Sequence, residues 1–225
     1  MDEHGVAVIP SAVSGYVATP GQGGRRYRRY GKRMFDILAV ALALPFLVPL
    51  MLLIGMAVMM DGRSPVYVQK RIGLNGRRFR LFKFRSMRPD ADRVLAAYLD
   101  QNPAAAAEWQ ANQKLRRDPR ITAVGRIIRK SSLDELPQLL NVLIGDMSLV
   151  GPRPMMPCQR DAYPGHEYEL MRPGLTGLWQ VSERNGTTFA ARAKYDREYY
   201  QAQSFRLDML TLWRTIGVVL RCTGC

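Results

Sequence analysis

The chain has 225 residues and a formal net charge of +14, from 33 Lys and Arg against 19 Asp and Glu. That length suits one domain with an appendage and excludes two full catalytic domains. The charge calls for an anionic partner, which means nucleic acid, an anionic membrane surface or a phosphorylated substrate.

Three cysteines, Cys158, Cys222 and Cys225, are too few and too odd for a disulfide framework and fit a reducing compartment. Cys222 and Cys225 lack a second ligand pair, and His4 and His166 are scattered, so no zinc-type site is expected. Residues 1–24 are rich in Gly, Ala, Val, Ser and Pro, with Asp2 and Glu3 where a secretory signal would be positive. A disordered tail with a basic end, residues 1–30, is expected. Arg25, Arg26, Arg28, Arg29, Lys32 and Arg33, interleaved with Tyr27 and Tyr30, precede an apolar segment and read as a headgroup anchor with interfacial aromatics.

Ile37 to Met60 is 24 residues without a charge, longer than the roughly 20 that span a bilayer as a helix. Pro45 and Pro49 fall inside it, where each removes a backbone hydrogen bond and crowds the preceding turn. Basic residues flank both ends, Arg25 to Arg33 before and Arg63, Lys70 and Arg71 after, and the positive-inside tendency places both flanks in the cytoplasm. The spacing therefore predicts a membrane helix over 31–61 that bends at Pro45 and Pro49 and leaves by the face it entered.

The remaining chain, 62–225, reads as one α+β, mainly helical domain. Pro65 to Gln69 and Phe79 to Phe84 alternate around Gly73 and Asn75-Gly76, which predicts a short β-hairpin. Lys83 and Arg85 stand at its end, either on a solvated strand face or in a binding site. Asp90 to Leu115 is helical in composition. Ser131-Ser132-Leu133-Asp134-Glu135-Leu136-Pro137 then sets two adjacent carboxylates beside a helix start, with Ser132 and Glu135 spaced as a capping box. The helix start favours ionised carboxylates and approaching phosphate, and Arg126, Arg129 and Lys130 strengthen that field.

Gln138 to Gly145 reads as an apolar helix with a glycine stop. Gly151-Pro152-Arg153-Pro154 holds one arginine on a stiff loop suited to a diphosphate. Met171 to Gln180 is a Pro-Gly and Thr-Gly turn that either presents Arg172 and Trp179 or buries the tryptophan. Lys194 to Tyr200 places Asp196 and Tyr199 on one helical face, and Phe205 to Leu220 is an amphipathic helix, packed on the core or lying in the membrane interface.

Asp118-Pro119-Arg120-Ile121-Thr122, the run Arg129 to Leu139, Asn141-Val142-Leu143 and Gly145 to Pro154 together resemble the bacterial sugar transferase family, the monotopic polyprenyl-phosphate phosphoglycosyl transferases, most closely the exopolysaccharide-initiating type. The resemblance runs from about Lys32 to the C-terminus. It implies a re-entrant helix, a catalytic domain on the cytoplasmic face of the bacterial inner membrane, and transfer of a hexose-1-phosphate from a UDP-sugar, galactose or glucose, to undecaprenyl phosphate with release of UMP. Further implied are Asp134 as covalent nucleophile, Mg2+ held by Glu135 with Asp134, and donor-site contributions from Lys83, Arg85 and Asp196. Arg129, Arg153 and Arg172 are the expected phosphate contacts. Membrane lipids are expected partners, nucleic acid is not, and a homodimer is left open. Two other readings of the charge, a membrane-tethered nucleic-acid binder and a catalytically idle scaffold, leave Asp134-Glu135 and the Pro-Arg-Pro loop without a use.

Overall fold

A computed structural model describes residues 26–61, 64–112, 115, 117–182 and 188–220. The tail over 1–25, and Cys222 and Cys225, lie outside the described residues. A π-helical turn at Tyr27–Gly31 leads into α1, Lys32–Met59, which is helical throughout with Pro45 and Pro49 inside it. Tyr27–Met59 is long and apolar enough to cross a membrane. At 28 residues α1 is about 42 Å long.

The two ends of α1 rest on the same folded domain. At its start Lys32, Asp36 and Val40 are buried: Lys32 Nζ meets Asp208 Oδ2 at 2.6 Å, and Asp36 accepts the Leu149 N–H at 3.1 Å. At its end Ile54 and Val58 pack with Phe84 and Ile128. Between them Leu42 and Phe46 are 74% and 81% exposed, so the middle of the helix turns large apolar side chains away from the protein. Part of the basic cluster is spent on this docking rather than on headgroups. Tyr27 Oη donates to Asp208, Arg28 lies over the Tyr200 ring, and Arg33 donates to the Val142 and Leu143 carbonyls. Arg26, Arg29 and Tyr30 stay exposed.

The expected hairpin forms as β1, Val66–Ile72, antiparallel to β2, Arg78–Phe84. Asn75 and Gly76 both take positive φ, 56° and 71°, the left-handed conformations that tight hairpin turns demand and that Asn-Gly supplies. Two helices follow, α2 at Ala91–Gln101 and α3 at Pro103–Asn112; Pro103 ends the single helix that composition suggested. Next comes α4, Ala123–Lys130, capped by Thr122 Oγ1, which accepts the Gly125 N–H at 2.9 Å. After α5, Gln138–Ile144, Gly145 closes the helix at φ 94° as expected.

Sequence reading missed the second sheet. β3, Ser148–Val150, pairs in parallel with β4, Gly174–Thr176, so part of the expected Pro-Gly and Thr-Gly turn is extended strand. Three-residue strands carry too little alternation to be seen before their partner is known. The chain ends in α6, Leu178–Ser182, α7, Arg192–Ala202, and α8, Phe205–Leu220. The core joins α1 to both sheets and α5 through Val40, Leu81, Val142, Met147, Val150 and Tyr199.

Candidate active site

Ser132 has φ 58° and makes no capping hydrogen bond, so the expected capping box does not form. The chain must reverse direction within two residues of the end of α4, and that reversal places Ser132 in the left-handed region, whereas an N-cap needs extended backbone. Asp134 and Glu135 consequently lie in a single 3-10 turn, Leu133–Glu135, and the α-helix begins only at Gln138, after Pro137. Their reactivity is set by side chains around them more than by a helix end.

β2 and α5 bring those side chains together. Asn141 on α5 is fully buried; its amide donates to the Arg80 carbonyl at 2.7 Å and accepts the Phe82 N–H at 3.1 Å. This clamps the helix along the open edge of β2. In the clamped position Lys83 Nζ reaches Glu135 Oε1 at 2.8 Å, and Arg153 Nη2, from the loop after β3, lies 3.5 Å from the same oxygen. A cleft opens here, lined by Arg71, Lys83, Glu135, Gln138, Arg153 and Leu175 among others.

Asp134 forms no hydrogen bond or ion pair among the described residues. Burial pushes its carboxyl above the ordinary aspartate range, and neighbouring Glu135 adds to that push, while Lys83, Arg129 and Arg153 pull it down. A carboxylate that is partly desolvated and unengaged, with cations close enough to favour its charged form, is suited in its ionised form to attack an electrophilic phosphorus. Glu135 is the opposite case, already neutralised by Lys83 and Arg153. Among the described residues no three His, Cys, Asp or Glu cluster as an all-protein metal cage. Two adjacent carboxylates do suit magnesium, which is commonly held by one or two carboxylates and completed by substrate phosphate oxygens and water.

The other expected site residues scatter. Arg129 sits in the last turn of α4 and acts on Asp134 electrostatically. Arg85 follows β2, tied by its backbone N–H to the Pro65 carbonyl at 2.8 Å, and does not line the cleft. Arg172 turns away and donates from Nε to the Gly145 carbonyl at 2.9 Å, closing the end of α5. Trp179 is buried, the second of the two readings of its turn. Asp196 is buried on α7 and accepts from the Tyr163 hydroxyl; burial pushes its carboxyl up to about 7. Its face-mate Tyr199 is a core residue, donating to Asp208 at 2.6 Å. Reading the chain alone missed Arg71, Gln138 and the Asn141 clamp. Asn141 stands within a quoted motif, but an asparagine inside an apolar helix signals a buried partner only once the strand beside it is known.

Adjacent carboxylates under converging cations stand beside an apolar helix that is long enough to cross a membrane and leaves much of its length outside the fold. The chain belongs to the bacterial sugar transferase family, whose model matches residues 27–222. It is 46% identical to the exopolysaccharide production protein ExoY of Sinorhizobium fredii, over 86% of this chain and 87% of that protein. It is also 46% identical to the undecaprenyl-phosphate galactose phosphotransferase of Salmonella typhimurium, over 89% of this chain but 42% of that longer protein. Against the UDP-glucose:undecaprenyl-phosphate glucose-1-phosphate transferase of Caulobacter vibrioides, identity is 40% over 84% of this chain and 67% of the relative.

Proposed function

We propose that the protein transfers a hexose-1-phosphate from a UDP-hexose, galactose or glucose, to undecaprenyl phosphate, releasing UMP and beginning an exopolysaccharide repeat unit. The observation that carries this reading is Glu135 held by Lys83 and Arg153 in one cleft, with Asp134 next to it in the chain and within the field of the same two cations, in a chain whose relatives act on undecaprenyl phosphate by name. The ionised Asp134 carboxylate attacks the β-phosphorus of the donor. The bond from that phosphorus to the bridging oxygen breaks, UMP leaves with the electron pair, and an acyl-phosphate joins Asp134 to the hexose phosphate. A phosphate oxygen of the lipid then attacks the same phosphorus, the bond to Asp134 breaks, and the carboxylate is restored. Lys83 and Arg153 neutralise the charge that builds on the phosphoryl oxygens. Magnesium, bound by Glu135 and Asp134, would supply further charge neutralisation on the diphosphate.

The docking of α1 supports one membrane arrangement. A straight spanning helix separates its ends by about 30 Å of hydrocarbon, whereas both ends of α1 lie against one domain. That supports a helix that enters and leaves by one face, with the catalytic domain on the cytoplasmic face of the inner membrane, where a water-soluble donor meets a lipid acceptor. The test is a single turnover without acceptor. Wild-type protein given UDP-hexose alone releases close to one UMP per site and gains the mass of a hexose phosphate on the peptide containing Asp134. Asp134→Asn does neither. Release of UMP only when undecaprenyl phosphate is present would replace the covalent route by direct transfer.

A further inference from the structure

Two arginines near the cleft carry buried groups that the reaction scheme above does not use. Arg71 lines the cleft from β1; Nη1 donates to the Pro154 carbonyl at 3.0 Å and Nη2 to Gln69 Oε1 at 2.5 Å, while its Nε is buried with no hydrogen-bond partner. Arg192, at the start of α7, has its guanidinium 4.0 Å from the Trp179 ring centroid and 5.0 Å from that of Phe189, and its Nε is likewise buried and unpartnered. Trp179 belongs to α6, which directly follows the strand whose Gly174 and Leu175 line the cleft. Neither arginine has an ion pair among the described residues. Burial and the charge of Arg153 hold both guanidiniums below the ordinary arginine range. Glu135 pairs with Arg153 and acts on Arg71 only at a distance, as Asp196 does on Arg192, so the two buried guanidiniums make an arrangement that a further anion would relieve.

Position along the hairpin says which anion. Lys83 pairs with Tyr67, while Arg71 pairs with Phe79, four residues and so about 13 Å farther along the ladder. One end of the cleft is therefore Lys83 and Glu135, with Asp134 adjacent in the chain, and on the proposed reaction the phosphorus under attack sits there. Toward the other end of the same cleft stands Arg71, on the side that the part of the donor not transferred would occupy.

We propose that Arg71 and Arg192 form a second anion subsite, which grips the nucleotide-side phosphate of a nucleoside diphosphate donor and holds it as the leaving nucleoside monophosphate. This rests on the reading of the cleft as a nucleotide-sugar site. A lipid phosphate offers the same chemistry, so the test separates the two.

The full chain in detergent micelles is titrated calorimetrically with UDP and with UMP, and KM is measured separately for UDP-hexose and for undecaprenyl phosphate. Arg71→Gln and Arg192→Gln are each expected to raise Kd for both nucleotides and KM for the donor by roughly ten- to a hundredfold, as loss of a charge-assisted contact does. KM for undecaprenyl phosphate should stay within about twofold, a split that mere loosening of the Pro154 loop would not produce. Should Arg71→Gln fail to fold by thermal melting, Arg71→Lys keeps the charge without the planar fork and should weaken UDP by at least about threefold. Unchanged nucleotide affinity in folded variants overturns the subsite, as does a loss confined to undecaprenyl phosphate. Wild-type protein that binds UDP through these arginines yet transfers no hexose phosphate would instead remove the proposed function and leave the subsite standing.

Discussion

Asp208 is a point at which α1 is fastened to the rest of the fold, and replacing it tests how much of the fold depends on that joint. Its carboxylate is fully buried; Oδ2 accepts from Tyr27 Oη and Lys32 Nζ, each at 2.6 Å, and Oδ1 accepts from Tyr199 Oη at 2.6 Å. Asp208→Asn keeps the shape, removes the charge and replaces one acceptor oxygen by a donor. Lys32, whose side chain is 10% exposed, is then left as a buried cation without its anion. Breaking a buried pair from one side costs about 3–5 kcal/mol, against a total stability of roughly 5–15 kcal/mol. For a domain of this size that corresponds to a fall of about 10 °C or more in Tm. The assay is thermal unfolding of the detergent-solubilised chain, with Lys32→Met and the Lys32→Met, Asp208→Asn pair completing a double-mutant cycle. Removing both charges should recover much of what Asp208→Asn loses, because neither member of the buried pair is left without the other, although Asp36 also loses Lys32 as its neighbouring cation. An Asp208→Asn protein that melts with the wild type, or a double variant whose loss is the sum of the two singles, would refute the reasoning.

Four further outcomes are expected. Asp196 titrates at about 7 when folded and near 3.8 when unfolded, so from about pH 4 to 7 the folded chain retains a proton that the unfolded chain has released. The stability that Asp196 contributes is therefore fullest below pH 4 and is lost as pH rises through 7, about 3 kcal/mol of it between pH 5 and 8; denaturant unfolding of Asp196→Asn should lack that component of the slope. Asn141→Leu leaves the Arg80 carbonyl and the Phe82 N–H without their partner, costing about 2–5 kcal/mol and lowering kcat as Lys83 drifts from Glu135; a wild-type melting curve would contradict the clamp. Arg153→Lys keeps the charge but loses the two-pronged donor, so turnover should fall by about tenfold or more with Tm unchanged. Replacing Pro45 and Pro49 together by leucine supplies the two backbone N–H groups that α1 lacks there and should make a tag at the N-terminus partly accessible from the periplasm, which unaltered tag accessibility would deny.

The exposed side chains of α8 show why some features become legible only in three dimensions. Its sequence announces an amphipathic helix, and the helix forms, but Leu207 and Thr211 face the core while Phe205, Trp213, Ile216 and Leu220 are exposed. Periodicity reports that two faces differ and is silent on which one a neighbour covers. The same distinction runs through the site. The residues that sequence determined are those whose chemistry is local: the charge-free stretch over Ile37 to Met60, the Asn75-Gly76 turn, the Gly145 stop, the adjacent Asp134 and Glu135, and Arg153 between two prolines. Each depends on backbone constraints or on neighbours within a few positions. What the tertiary structure decided are pairings across the chain, where Lys83 meets Glu135 over 52 positions and Lys32 meets Asp208 over 176. It also overruled one local signal, since Ser132 has the residue type and spacing of a cap but lies in a chain reversal that denies it the cap's backbone. Long-range contacts leave no mark on local spacing because either partner alone is an ordinary polar residue. Only folding, by removing both from water, makes each the condition of the other's burial.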